Sequence, residues 1–171
     1  MKEIILSFFL YSLTGVLLHF TYNFFKKNKV VGIFSSVNES IWEHIKLLLT
    51  PVLFFNTIKN IISNQNNYFT ALFVELFLSI VLIIIFYRIK VAIFKDKYDF
   101  INIIIFFTTA LIVSISGYYI KNINISLTIN HVCAFLDLVI FMMYLSFTIF
   151  PPNNELFIDP IDGTYGYNDV K

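Results

Sequence analysis

Charge is scarce in this chain, and so are cysteine, glycine and proline. Charged residues fill 13% of the 171 positions, against about a quarter in average soluble domains. With 58% of residues hydrophobic, a soluble fold would lack the polar groups to cover its own core. The apolar residues come in long runs, and runs of about 18 or more read as membrane spans. The single cysteine, Cys133, excludes an internal disulfide. Lying in an apolar run, it reads as a small buried hydrophobe. A net charge of +1 predicts no attraction to nucleic acid. No glycine-rich nucleotide loop is present, which argues against ATP use. No repeat or low-complexity linker divides the chain, so one domain with a short tail is expected.

Five spans are predicted, at about residues 3–25, 38–62, 68–87, 100–120 and 126–150. The first run lacks the short core and small-residue cleavage site of a signal peptide, so a retained span is expected. Lys26, Lys27 and Lys29 end it. The polar cluster Ser63, Asn64, Gln65, Asn66, Asn67 ends the second, which contains the helix-kinking Pro51. Arg88 and Lys90 end the third, Lys121 the fourth, and Pro151 with Pro152 the fifth. Ile and Phe also favour strands, but a run of about twenty residues in hydrocarbon satisfies its backbone as a helix. The fold class is therefore an all-α integral membrane bundle of five transmembrane helices. A C-terminal tail, residues 151–171, follows. One side of the membrane holds Lys26, Lys27, Lys29, Arg88, Lys90, Lys95, Lys97 and Lys171, the other Lys2, Lys59 and Lys121. The positive-inside rule then places the tail in the cytoplasm and the N-terminus outside, in a plasma membrane.

Several ionisable residues fall inside the predicted spans. At about 1.5 Å per residue, His19 and Glu43 lie roughly 9 and 8 Å deep, with His44 beside them. Lys46 and Asp137 lie near roughly 12 Å. Glu75 and His131 lie closer to the opposite face. A charge in hydrocarbon costs at least about 2.5 kcal/mol, so these groups are expected to turn inward and pair. Depth and sign suggest Lys46 with Asp137, His19 with Glu43, and Glu75 with His131.

Structural explanations compete with functional ones. Ser36-Val37-Asn38-Glu39 matches a capping box, which accounts for Glu39 without function. Trp42 reads as an interface anchor, and Lys46–Asp137 as a register-fixing bridge. Alternatively, His19, Glu39 and Glu43 form a divalent metal site, because Glu39 and Glu43 share a helix face while Glu43 and His44 diverge by about 100°. No H-E-x-x-H spacing supports it. Acid and imidazole layers at several depths also suit a proton relay, although no inverted repeat is evident. The tail combines turn signals, Asp159-Pro160 and Asp162-Gly163, with apolar Leu156, Phe157, Ile158, Tyr165 and Tyr167. It is expected to dock over the inner mouth near residues 35–44.

"HFTYNFF" at residues 19–25, "SVNESIWEHIKLLLTP" at 36–51 and "PPNNELFIDPIDGTYG" at 151–166 carry a resemblance. They resemble a bacterial family of small multi-pass membrane proteins of unknown function. The N-E-S-x-W-E-H block, Asn38 to His44, and the D-P-x-x-G-T-Y-G block, Asp159 to Gly166, are its most specific parts. The family often has proline where this chain has Ser36, a departure that favours the capping box here. The resemblance covers most of the chain and implies membrane placement and several spans, but no activity. It also implies that His19, Asn38, Glu39, Trp42, Glu43, His44 and the tail block belong to one site. The polar residues themselves leave three functional classes open, with the first as the default because each polar group has a structural explanation. The first is a non-enzymatic scaffold or accessory subunit, with lipid, a second copy or another membrane subunit as partner. The second is a proton-coupled or small-solute transporter. The third is a metal-dependent intramembrane hydrolase or transferase.

Overall fold

The computed structural model describes residues 1–63, 65, 67–95 and 98–167. Asn64, Asn66, Asp96, Lys97 and Lys171 lie outside the described residues. The fold is all-helical: α1 Lys2–Phe24, α2 Lys29–Phe34, α3 Ile41–Ser63, α4 Tyr68–Phe94, α5 Phe100–Lys121 and α6 Leu127–Ile149. A 3₁₀ turn, Glu155–Phe157, follows in the tail. Five of these helices, all but α2, are long and apolar enough to cross a membrane. The chain is a multi-pass membrane protein.

The distribution of side chains fits lipid as the solvent. On α1, Ser7, Tyr11, Ser12 and Gly15 are buried, while Phe9, Leu13, Leu17 and Phe20 point outward. Small and polar residues face the bundle because they let helices approach and bond; large apolar ones face the hydrocarbon. The same inversion gives α6 its exposed Val132, Phe135, Leu138 and Met142. The central helix is α4, which packs on α3, α5 and α6, and α1 closes the other side against α3 and α5.

Pro51 lies inside α3 and has no N–H to give the Leu47 carbonyl. Gly15 brings α1 close to that carbonyl: a Cβ there would stand 2.7 Å from Leu47 O and overlap the Phe106 ring. The α1–α3–α5 junction therefore needs glycine at 15.

Three segments depart from the sequence expectation at the tail end of the bundle, the first being α4, which runs through Arg88 and the buried Lys90 to Phe94 instead of ending near Tyr87. Residues 26–37, expected as a plain loop, contain α2, which Asn28 caps by accepting from Val30 N and Val31 N at 2.9 and 3.4 Å. Helix α3 begins at Ile41 rather than near Asn38, because the chain turns through residues 35–40 first.

Candidate functional site

The turn before α3 sets the geometry of the site. Ser40 N donates to Asn38 Oδ1 at 3.0 Å, and Ser36 Oγ donates to the Asn38 carbonyl at 2.6 Å. Ser40 Oγ then accepts from Glu43 N at 3.4 Å. The expected capping box of Ser36 and Glu39 does not form, since the helix starts two residues beyond Glu39. Glu39 instead donates its backbone N–H to Asp159 Oδ2 at 3.1 Å, a contact across 120 residues. Its carboxylate is left to reach elsewhere.

Glu43 and Lys46 correct two expected pairings. Lys46 is fully buried, and its ammonium donates to Glu43 Oε2 at 2.8 Å, to Gly32 O at 2.9 Å and to Thr148 Oγ1 at 2.6 Å. Three N–H groups meet three acceptors, which exhausts its donors. Glu43 Oε2 also accepts from Val37 N at 2.9 Å. Lys46 therefore does not bridge to Asp137, and Glu43 does not pair with His19. Helical side chains lean toward the N-terminus, so the i, i+3 neighbour wins over a partner of equal depth on another helix. Asp137 is buried on α6, and among the described residues neither of its carboxylate oxygens has a hydrogen-bond partner.

The third expected pair also fails. Glu75 is buried among α1, α3 and α5, where Tyr11 OH donates to its Oε2 at 2.9 Å and Asn56 Nδ2 at 2.5 Å. Lys121 reaches the same group by donating to Asn56 Oδ1 at 3.0 Å. Gly117 makes room for it, because a Cβ there would overlap the Glu75 carboxylate. His131 is exposed on the far face of α6, so its depth matches Glu75 but its direction does not.

His19, Glu39 and His44 are brought together. Glu39 Oε1 lies 3.7 Å from His19 Nε2, and Glu39 Oε2 lies 3.6 Å from His44 Nε2. One ligand atom from each of the three lies within 4.8 Å of the others. A tetrahedral zinc with N and O ligands at about 2.0–2.1 Å separates its ligands by about 3.4 Å, so the three ligand atoms, now within 4.8 Å of one another, would draw together to hold one. His44 Nδ1 lies 2.9 Å from the Ser40 carbonyl. A carbonyl only accepts, so Nδ1 carries the proton and Nε2 presents its lone pair to the cluster. The sequence reading put Glu43 in this set and His44 outside it. That reading assumed Glu39 and Glu43 on one helix face. Glu39 precedes the helix, so the shared-face argument does not apply, and His44 replaces Glu43.

The cluster borders a cavity of about 390 Å³. Ile83 of α4 and Asn102 and Phe106 of α5 form the facing wall, and Pro160 with Ile161 bring the tail to its edge. The tail is a compact hairpin. Ile158 and Tyr165 bridge, Asp159 N donates to Thr164 O at 2.9 Å, and Asp159 Oδ1 accepts from Ile161 N at 2.7 Å. Tyr167 OH donates to Lys29 O, and burial pushes its phenol above the usual range, so it remains a neutral donor. Arg88 pairs with Glu155 at 3.0 Å. Trp42 is 4% exposed and packs against Phe147 and Phe157, with ring centroids at 5.1 and 5.3 Å. It is a core residue that holds the tail and not an exposed anchor, because Phe147 and Phe157 cover its ring.

Sequence reasoning missed Ser40 and Thr148, and it named Asp159 only as a turn residue. Glu43-x-x-Lys46 spacing was a visible signal for the i, i+3 pair. Nothing local signals Thr148 or the 39–159 contact, which only the docked tail creates. No curated protein and no solved structure matches the chain. A family model does match, the Family of unknown function (DUF6512), over residues 1–167, and the chain belongs to that family.

Proposed function

We propose that this membrane protein binds a divalent cation at His19, Glu39 and His44 and uses it in metal-assisted hydrolysis. The observation that carries the reading is the convergence of two imidazoles and a carboxylate beside an open cavity. Catalytic zinc sites supply three protein ligands and leave a position for water, and two histidines with one glutamate are a known donor set. Such a cation makes its water a nucleophile near neutral pH. In hydrolysis of an ester or phosphoester the water oxygen bonds to the acyl carbon or phosphorus. The bond to the leaving oxygen breaks, and that oxygen takes the water's proton. The Lys and Arg distribution supports a cytoplasmic position for this end of the bundle, and the lipid-facing surface supports the plasma membrane as its setting.

The test is metal analysis of protein extracted in mild detergent, followed by zinc titration. About one zinc per chain is expected, with affinity falling at least tenfold in His19→Ala and in His44→Ala. Sub-stoichiometric zinc, unchanged in both variants, would refute the reading. A second reading, a non-enzymatic scaffold, is favoured by the Lys46 network, whose donors are all satisfied within the protein and join α2, α3 and α6. Zinc-free protein that remains folded and monodisperse supports that reading instead. Between the two polar layers α3 places fully buried Leu48, Leu49 and Val52, so no observation favours the carrier reading.

A further inference from the structure

The cavity lining has two chemically different parts, and that asymmetry says what it would hold. His19, Glu39, His44 and Asn102 give the lining its polar part. Ile83, Ile103 and Phe106 give it an apolar part. Ile83 and Phe106 are nearly inaccessible, whereas Ile103 is 59% exposed on the lipid-facing side of α5. Ile103 thus belongs both to the apolar part of the lining and to the exposed apolar surface of α5. A volume of about 390 Å³ falls in the range of small-molecule sites, roughly 300–1,000 Å³.

The polar part is arranged for an anion. Lys90 is 2% exposed, and its ammonium donates to Asn102 Oδ1 at 2.9 Å. Because an ammonium only donates, this contact assigns the Asn102 oxygen and leaves its amide N–H groups as the donors this side chain can offer at the cavity wall. Helices α3 and α5 both start at this wall, near Ile41 and Asn102, and bring their positive ends to it. Asp99 shares the wall and opposes an anion. A divalent ion offsets Glu39 and Asp99, and the open position in its coordination shell is where an anion would enter. These donors stand on separate walls, which suits a tetrahedral head with several oxygens better than a planar carboxylate.

We infer that the cavity receives an amphiphile with a phosphate head. The head meets the His19–Glu39–His44 cation and the Asn102 amide, and the chain lies along Ile83, Phe106 and Ile103. The inference rests on the cation reading above and names the class of molecule that site would act on.

The test uses full-length protein in maltoside micelles, loaded with cobalt(II), whose visible absorption reports ligands entering the metal site. The probes are decyl phosphate, inorganic phosphate, decanoate and decanol. Decyl phosphate is expected to shift the cobalt bands with at least tenfold higher affinity than inorganic phosphate or decanoate, and decanol to leave them unchanged. Ile103→Trp narrows the apolar part and should lower decyl phosphate affinity about tenfold while sparing cobalt content and the inorganic phosphate response. Asn102→Leu should weaken decyl phosphate and inorganic phosphate together. Equal affinity for inorganic phosphate, equal affinity for decanoate, or no response from a chain carrying one cobalt would each overturn this inference and leave the cation reading standing. A folded chain that takes up neither cobalt nor zinc overturns both.

Discussion

Substituting Lys46→Met keeps the unbranched side chain and most of its volume and removes only the ammonium. Three acceptors lose their donor at once: Glu43 Oε2, Gly32 O and Thr148 Oγ1. Glu43 is 1% exposed and, among the described residues, retains the Val37 N–H as its hydrogen-bond donor. Breaking a buried ion pair from one side costs about 3–5 kcal/mol, because the remaining charge is left uncompensated. The double variant Lys46→Met with Glu43→Gln removes that charge and keeps an oxygen for Val37 N. It should therefore lose less than the two single variants combined, by about 1–3 kcal/mol. Reversible unfolding in micelles of increasing SDS fraction measures both quantities. Fluorescence of Trp42, the only tryptophan, reports the transition from within the same helix. A single variant within about 1 kcal/mol of wild type, or strict additivity in the double, would refute the claim that this ammonium joins α2, α3 and α6.

Other consequences are equally direct. Gly117→Ala should lose about 1–3 kcal/mol in the same titration through overlap with Glu75; adding Glu75→Ala should make Gly117→Ala nearly silent, and an unchanged penalty would contradict the close approach. Phe157→Ala removes the ring between Trp42 and Phe147 and should cost about 3–5 kcal/mol. Limited proteolysis should then cut residues 158–167 faster than in wild type, and an unchanged rate would mean that the tail is held elsewhere. Asp159→Ala removes the acceptor for Glu39 N and should weaken zinc binding roughly 10–100-fold, as loss of a supporting contact does. Unaltered zinc affinity in that variant would show that Glu39 is set without the tail.

Length and hydropathy alone determined the five membrane-crossing helices, because hydrocarbon offers the backbone no partner and a run of about twenty apolar residues has one self-sufficient form. The same reasoning singled out the ionisable residues at depth and the tail as features that need partners. It did not find those partners. Depth along an axis is legible from residue count, but direction around the axis depends on where each helix begins and what it packs against. Helix α3 starts at Ile41, and that start moved Glu39 off the helix, so that it meets His44 from the preceding turn and not from a shared helix face. Asp159 holds the Glu39 backbone from a hairpin 120 residues away in sequence. Which polar groups must be satisfied was therefore a property of the chain in lipid. Which group satisfies which was decided by tertiary contacts, since a hydrogen bond depends on separation and angle within a few tenths of an ångström, a precision that residue spacing does not carry.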